Sequence, residues 1–292
     1  MKHAFICLLV FTVNSVLADG SLDAVQSSSS NKLIMAVRDD GVLFTYTWNG
    51  WQAEDEPCPG TGSFCVQLHN RIDSDEEALV FVIDSTGTLF QTNGEWWHEL
   101  IGPPDTVSAV SHGSVFRITD RVIQLALLDH AGNFYINESD HSWFAPFPLF
   151  PSAPARDMSF NYDRSTDTMN PFVLGSDGLL YAYFNMKWRS TDKPESEWNI
   201  QNITTYVDNE TGGVLLVAFD DSGRMYSNSA GDGLVLTTHE PCPGAGPWDV
   251  DLLCTGNGMF DILCLDSTGG LYRATDDSWI KLADSFQDGE SN

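Results

Sequence analysis

Six short apolar runs divide the chain, and each is followed by a polar turn that ends in glycine. The runs contain five or six residues rich in Val, Ile, Leu and Phe, and an aromatic residue lies three positions after the glycine in every copy. The turn glycines are Gly41, Gly87, Gly132, Gly178, Gly223 and Gly269, so the copies follow one another every 45 or 46 residues. Such regular spacing indicates one structural unit repeated six times.

Each copy has the pattern of a β-hairpin followed by a third strand. A short, fully apolar run predicts a strand buried on both faces, and the Asp-x-x-Gly that follows in most copies supplies the chemistry of a tight turn. A tryptophan marks the third strand ten or eleven residues after the glycine, at Trp51, Trp97, Trp143, Trp188 and Trp279. The fifth copy has Gly233-Leu234 there instead.

A further strand is predicted 15–22 residues before each glycine, for example at residues 66–68, 158–160 and 203–207. For the first copy this offset falls on residues 19–26. Four strands in a unit of this length, without helical periodicity, predict an all-β, six-bladed β-propeller with four antiparallel strands per blade. An open solenoid is the alternative, but the terminal repeats lack the distinct sequences that caps require.

The N-terminus predicts export from the cell. Residues 1–18 combine Lys2, an apolar stretch and the small residue Ala18, as in a secretory signal peptide. We therefore expect a secreted, extracellular protein with one propeller domain at residues 19–292. Sequons at Asn137, Asn202 and Asn209 predict N-glycosylation on surface loops.

The charge of the chain restricts its partners. Removal of residues 1–18 would leave 13 basic and 41 acidic side chains, a net charge of −28. A charge this negative repels phosphate backbones and anionic lipid, so we expect no nucleic-acid partner and no membrane insertion. The oligomeric state is left open.

Two identical segments frame the cysteines. Glu-Pro-Cys-Pro-Gly occurs at residues 56–60 and again at residues 240–244, and another cysteine follows each. We predict disulfides between Cys58 and Cys65 and between Cys242 and Cys254, because secreted proteins use such pairs as staples. Zinc is disfavoured, since Cys-x-x-Cys spacing is absent. Cys264 lies inside an apolar strand and is predicted to be a buried free thiol.

The repeated pattern of apolar run, Asp-x-x-Gly, Leu-Tyr or Leu-Phe and then Trp resembles lectin propellers. The likeness is to the tectonin and tachylectin-2 group and to the fucose-binding propellers of bacteria and fungi, the PLL type included, and it covers residues 19–292. In these families, as the resemblance implies, sugars bind in shallow sites on or between blades through an aromatic face and a few polar side chains.

Tryptophans are the candidates for that aromatic face, because an indole ring stacks well on the apolar face of a sugar. The candidate carbohydrate-binding residues are Trp48, Trp51, Trp96, Trp97, Trp143, Trp188, Trp198, Trp248 and Trp279. For the five repeat tryptophans the favoured alternative is packing of each blade on its neighbour. Since adjacent strand residues face opposite ways, we expect Trp97 to be buried and Trp96 accessible.

Metal and catalytic chemistry have weak support. The turn aspartates could bind calcium through carboxylate oxygens, but the turn itself explains an Asp before a Gly, so no cofactor is expected. No Gly-x-Ser-x-Gly or His-Glu-x-x-His occurs, and no arginine cluster of the sialidase kind is evident. Catalysis is therefore not expected, although two acids on a central tunnel would leave a glycosidase open.

These observations lead to three functional hypotheses. The first is a secreted, multivalent, lectin-like protein that binds glycans or glycoproteins, with several weak sites acting through avidity. The second is a secreted propeller that binds protein partners. The third, less favoured, is a glycan-cleaving hydrolase.

Overall fold

A computed structural model of the chain describes six sheets and many of the turns between their strands. The described residues are 20–26, 32–38, 40–47, 49–54, 56–60, 65–70, 78–84, 86–92, 96–100, 102, 110–119, 122–137, 142–163, 168–190, 199–207, 214–229, 232–244, 246, 249–256, 259–276 and 278–286. Their regular structure is all β-strand. Within these ranges, no helix has the length and apolar character needed to cross a membrane.

Each sheet consists of four antiparallel strands that are consecutive in the sequence, and we number these sheets as blades 1 to 6. Blade 1 contains β1 (Gly20–Gln26), β2 (Lys32–Arg38), β3 (Leu43–Thr47) and β4 (Gly50–Ala53). Blade 2 contains β5 (Cys65–Asn70), β6 (Ala78–Ile83), β7 (Leu89–Thr92) and β8 (Trp97–Glu99). Blade 3 contains β9 (Val110–Thr119), β10 (Val122–Asp129), β11 (Phe134–Asn137) and β12 (Trp143–Phe144).

The second half of the chain repeats this organisation. Blade 4 contains β13 (Ala155–Asp163), β14 (Thr168–Gly175), β15 (Leu180–Phe184) and β16 (Lys187–Ser190). Blade 5 contains β17 (Ile200–Val207), β18 (Val214–Asp220), β19 (Met225–Ser229) and β20 (Asp232–Leu236). Blade 6 contains β21 (Asp249–Gly256), β22 (Met259–Leu265), β23 (Leu271–Ala274) and β24 (Trp279–Ala283).

The first strands of the six blades lie side by side in a ring. β1 contacts β5, each following first strand contacts the next, and β21 of blade 6 contacts β1 of blade 1. Six clusters of buried apolar residues fill the structure, and each of them joins two neighbouring blades. The second strands supply much of this core because their apolar runs face a neighbour on both sides. The arrangement is consistent with the six-bladed β-propeller that the repeats predict.

The two ends of the described chain meet where blade 6 packs on blade 1. The backbone N–H of Leu22 donates to Asp249 Oδ2 at 2.7 Å, which ties β1 to β21. Phe286, just after β24, stacks on Phe44 with ring centroids 4.5 Å apart and lies 5.4 Å from the ring of Trp51. A strand was predicted at residues 19–26, and β1 (Gly20–Gln26) completes blade 1.

Closure therefore depends on Phe286, and truncation of its ring should weaken the whole domain. We expect Phe286→Ala to lower the free energy of unfolding by about 2–3 kcal/mol, because a large aromatic side chain leaves the blade 6–blade 1 interface. The matched control is Phe184→Ala, since that ring is 59% exposed and its loss should cost less than about 0.5 kcal/mol. Urea unfolding followed by tryptophan fluorescence measures both; equal effects would contradict the role of Phe286.

Candidate functional site

The turn after the second strand is built around a carboxylate. In blades 2, 3, 5 and 6 the aspartate that ends the apolar run accepts bonds through Oδ1 from the backbone N–H groups two and four residues later. These aspartates are Asp84, Asp129, Asp220 and Asp266. In blades 1 and 4 an aspartate two positions later, Asp40 or Asp177, accepts the equivalent bond from Val42 or Leu179. The turn geometry therefore uses these carboxylates internally.

Asp220 shows how the hydrogen bonds within a turn change the pKa of a carboxyl group. Burial alone would raise its pKa, but the hydroxyl of Ser222, the N–H of Arg224, the hydroxyl of Tyr226 and the Arg224 guanidinium together hold the pKa of the Asp220 carboxyl below its ordinary value. Among the described residues, no group of three or more His, Cys, Asp or Glu side chains is placed to hold a metal ion.

The loop that leaves a blade folds back over the turn of that same blade. In blades 1, 3 and 5 a residue of this loop donates its backbone N–H to the carbonyl of the turn glycine. The bonds are Cys58 N to Gly41 O (2.7 Å), Phe150 N to Gly132 O (2.8 Å) and Cys242 N to Gly223 O (2.8 Å). Each of these side chains is buried, so the loop closes one end of the interface with the next blade.

The repeat tryptophans join these loops to the following blade. In three blades the indole N–H donates to the backbone carbonyl two residues before the loop residue that covers the turn. The bonds are Trp97 Nε1 to Glu56 O (3.0 Å), Trp188 Nε1 to Pro148 O (2.9 Å) and Trp279 Nε1 to Glu240 O (2.9 Å). Trp51 instead donates to the turn carbonyl of Gly269 at 2.8 Å. These indoles are half-buried, which favours the packing role over a freely exposed sugar platform.

The other candidate tryptophans fall into two groups. Trp143 in β12 is half-buried against the core between blades 2 and 3. Trp96 is 62% exposed, whereas its neighbour Trp97 packs on the core between blades 1 and 2, as their alternation predicts. Trp48, Trp198 and Trp248 lie outside the described residues. Of the described candidates, Trp96 alone presents most of its ring to solvent.

Replacement of each member of the Trp96 and Trp97 pair separates packing from exposure. Trp97→Ala should cost about 2–4 kcal/mol of unfolding free energy, because it removes a packed indole and its hydrogen bond. Trp96→Ala should change the stability by less than about 0.5 kcal/mol. Thermal and urea unfolding of the two variants check this, and a stable Trp97→Ala protein would remove the case for tryptophan-mediated blade packing.

The interface between blades 4 and 5 departs from this pattern. Its repeat position is Leu234, which is buried with Tyr226 and Leu180 in the apolar cluster between the two blades. The leucine side chain fills the apolar space, but it has no N–H group that could donate to the preceding loop. This interface therefore lacks the tryptophan hydrogen bond that Trp97, Trp188 and Trp279 make elsewhere.

A network of exposed polar side chains lies at the same interface. Arg156 of blade 4 donates through Nη1 to Asn199 Oδ1 (3.0 Å) and through Nη2 to the carbonyl of Ser176 (3.1 Å). Asn199, directly before β17 of blade 5, donates through Nδ2 to Asp221 Oδ2 at 2.7 Å. The backbone N–H of Asp221 in turn donates to the carbonyl of Asn199 at 3.1 Å. We call Arg156, Ser176, Asn199 and Asp221 the blade 4–5 network.

A β-bulge sets the position of Arg156. Ala155 pairs with Gly175 and Asp157 with Leu174, so Arg156 is the extra residue on β13. Bulges of this kind redirect a side chain out of the regular pleat. A hydroxyl group both donates and accepts hydrogen bonds. It can therefore be bound where guanidinium and amide donors lie beside amide and carboxylate acceptors. The chemistry of the blade 4–5 network therefore suits a polyhydroxylated ligand.

Sequence reasoning missed this network, although alignment of the repeats contains a signal for it. Arg156 lies 22 residues before its turn glycine, and at that offset the other five repeats have Asp19, Cys65, Val110, Gln201 and Pro247. Arginine thus occurs at this place in one repeat of six. Only the tertiary structure shows that Asn199 and Asp221 of the next blade meet it.

Two inner-strand carboxylates bear on the glycosidase hypothesis. Asp157 accepts N–H bonds from Met158 (2.7 Å) and from Ile203 of blade 5 (2.6 Å), and so links β13 to β17. Asp249 accepts from Val250 (2.9 Å) and Leu22. Burial, with a smaller contribution from the Asp249 charge, raises the pKa of Asp157 to about 8. Both oxygens of each carboxylate bond backbone N–H groups, so their evident role is to join neighbouring inner strands.

The raised pKa of Asp157 makes stability depend on pH. Between about pH 4 and about pH 8 the folded state keeps this proton and the unfolded state has lost it, so stability falls as the pH rises. Asp157 should contribute a decline of up to about 1.4 kcal/mol per pH unit in that window. We expect Asp157→Asn to lack this decline while the exposed-site control Asp276→Asn keeps it. Urea unfolding between pH 4 and pH 9 measures the slopes, and parallel curves for Asp157→Asn and wild type would contradict the assignment.

The predicted disulfides are not formed in this structure, where Cys58 and Cys242 are free thiols. The bond from each loop N–H to a turn carbonyl directs these side chains into the interface with the next blade. Cys58 belongs there to the cluster that contains Val82, and Cys242 to the cluster that contains Cys264. The pairings of Cys58 with Cys65 and of Cys242 with Cys254 stay predictions. Cys264 is a fully buried free thiol, as predicted.

The two described sequon asparagines lie in strands. Asn137 ends β11 and is half-buried. Asn202 lies within β17, opposite Phe219, and not on the loop that was predicted, because the inner strand of blade 5 begins at Ile200. Asn209 lies outside the described residues. Glycosylation at these positions stays a prediction.

Comparison with solved structures shows the fold. The SapL1 lectin, solved in complex with α-methyl fucoside, matches with a TM-score of 0.64 and 10% identity over 94% of this chain and 98% of its own. The Aleuria aurantia lectin, a fungal lectin described as a six-bladed β-propeller with a novel fucose recognition mode, matches with a TM-score of 0.61 and 9% identity over 93% of this chain and 97% of its own. BBS1N, solved in complex with ARL6DN, matches with a TM-score of 0.60 and 11% identity over 89% of this chain and 81% of its own.

These likenesses concern the fold, since identity is low in every case. No protein-family model matches the chain. No curated protein matches it either. The chain is thus similar in architecture to six-bladed fucose-binding lectins, while its candidate binding residues rest on the geometry described above.

Proposed function

We propose that this protein is a secreted, lectin-like propeller that binds glycans through the interface between blades 4 and 5. The observation that carries the proposal is the blade 4–5 network, an exposed set of donors and acceptors at the interface where the repeat tryptophan is replaced. Leu234 packs this interface through apolar contacts. The polar groups at its surface can therefore bind a ligand. Carbohydrate sites use such convergent polar groups beside an apolar or aromatic surface.

Two further observations support a sugar as the ligand. The fucose lectins SapL1 and Aleuria aurantia lectin share this fold over nearly the whole chain, so a fucoside is the first probe to use. Trp198, a predicted carbohydrate-binding residue, directly precedes Asn199 in the sequence.

The repeats argue for unequal sites. At the same offset from the turn glycine the other repeats carry residues of different size and polarity, such as Asp19, Val110 and Gln201. We therefore propose one principal site on the blade 4–5 network. Any avidity then requires weaker sites of different composition, such as the exposed Trp96 of blade 2, or association of several copies.

The proposal is tested by binding to a glycan array and by titration with α-methyl fucoside. We expect Arg156→Ala to weaken binding to the best glycan at least tenfold, because it removes charged donors from the ligand. Arg189→Ala is the matched control, since it removes the same charge from exposed residues of blade 4. Thermal unfolding should be nearly the same for both variants.

Three outcomes overturn the proposal. They are the absence of binding across the array, equal binding by Arg156→Ala and wild type, and an equal loss in the Arg189→Ala control. Loss of binding in Asp221→Asn, which keeps the shape of the acceptor but removes its charge, would locate the ligand at the blade 4–5 network independently of Arg156.

A protein partner is the second candidate function, and one surface favours it. The β15–β16 hairpin of blade 4 presents Phe184 and Met186, which are 59% and 83% exposed. Exposed large apolar side chains in a cluster are typical of protein-binding surfaces. BBS1N, which is similar in fold to this chain, was solved in complex with ARL6DN. This second function would be supported if the protein binds no glycan and if Met186→Ser abolishes its binding to a protein partner.

A further inference from the structure

Two buried thiols face each other at the interface between blades 5 and 6. Cys242 lies in the loop that covers the turn of blade 5, and Cys264 lies in β22 of blade 6. Their sulfur atoms are 3.0 Å apart, and the side chains are almost or completely buried. The separation exceeds the length of a disulfide bond by only about 1 Å. A small shift of the loop would bring the sulfurs to bonding distance.

The interface between blades 1 and 2 is an internal control for this pair. Its loop has the same five residues, Cys58 makes the same backbone bond to a turn glycine, and Trp97 bonds the loop as Trp279 does at the other interface. The residue of blade 2 that corresponds to Cys264 is Val82, which shares the buried cluster of Cys58. Valine therefore suffices to pack beneath this loop. A cysteine at position 264 adds a second thiol where packing does not require one.

We propose that Cys242 and Cys264 form a disulfide in the mature protein. This bond would link the loop that leaves blade 5 covalently to blade 6. The predicted signal peptide agrees with this, since disulfides form and persist in oxidising compartments. The pair lies between neighbouring blades, whereas the sequence-based pairing of Cys242 with Cys254 did not take account of which side chains face the interface.

The chemistry is thiol–disulfide exchange with a small disulfide such as oxidised glutathione. The Cys242 thiolate attacks one glutathione sulfur, the glutathione disulfide breaks, and one glutathione thiol leaves. The Cys264 thiolate then attacks Cys242 in the mixed disulfide and releases the second glutathione. Two cysteine thiols are oxidised, one disulfide is reduced, and their two protons end on the two glutathione thiols.

The environment of Cys264 indicates when this exchange occurs. Burial, the contact with Cys242 and nearby carboxylates raise the pKa of the Cys264 thiol well above its ordinary value. Because the thiolate is the reactive form, exchange is slow once the interface has closed. The bond should therefore form while blades 5 and 6 dock, and a native protein that is kept reduced should oxidise slowly.

Peptide mapping without reduction tests the pairing. The full chain is refolded with reduced and oxidised glutathione, free thiols are alkylated in denaturant, and the protein is digested between residues 242 and 264. We expect a cross-linked peptide that contains Cys242 and Cys264. Alkylation of both cysteines, or a link from either of them to Cys254, Cys58 or Cys65, would overturn the proposal.

Two variants exploit the internal control. Cys264→Val copies the packing beneath Cys58, so it should fold, lose the cross-link and show a Tm about 5–10 °C below that of the oxidised wild type. Reductant should lower the Tm of the wild type towards that of Cys264→Val and leave the variant itself unchanged. A Tm of the oxidised wild type that does not respond to reductant would contradict a stabilising staple at this interface.

Val82→Cys makes the converse change at the interface between blades 1 and 2. We expect it to gain a second cross-link, from Cys58 to the introduced thiol, under the same refolding conditions. This gain does not depend on the folding of Cys264→Val. Refolding of Val82→Cys with both thiols still open to alkylation would contradict the shared geometry on which the proposal stands.

Discussion

Packing between neighbouring blades is the constraint on which the rest of this structure depends. A four-stranded sheet whose second strand is apolar on both sides cannot expose either face to water, so each blade requires a neighbour on both sides. The ring meets this demand for all six blades, and it does so at the chain ends through Leu22, Asp249 and Phe286. At the interfaces between blades 1 and 2, 3 and 4, and 5 and 6, the loop that leaves one blade and a tryptophan of the next add bonds to backbone carbonyls.

Because the same packing problem is solved several times, the differences among interfaces become informative. Trp97, Trp188 and Trp279 use one solution, and Leu234 uses another that is entirely apolar. Where Leu234 replaces the tryptophan, polar side chains from both blades meet at the surface. The pair of thiols at the blade 5–6 interface stands out by the same logic, since Val82 fills the corresponding place between blades 1 and 2. Function and covalent chemistry are thus best sought where the repeat is broken.

Much of the fold could be predicted from the chain because its signals are local. The strand order within a blade follows from short turns, and an Asp-x-x-Gly turn satisfies its own backbone N–H groups through the aspartate carboxylate, as Asp84 and Asp266 do. Trp97 begins β8 and Trp96 directly precedes it, and the two side chains differ in exposure as strand geometry predicts. None of these inferences required knowledge of which residues from different blades meet.

The sequence by itself therefore determined the repeat, the number of blades, the turn chemistry and the exposure of one tryptophan over its neighbour, because each depends on residues close together in the chain. Only the tertiary structure decided which groups meet across an interface. Arg156 and Asn199 are 43 residues apart, and Cys242 and Cys264 are 22 residues apart in different blades. Proximity of this kind is set by how one blade docks on the next, and a pattern that repeats within each blade carries no information about that contact.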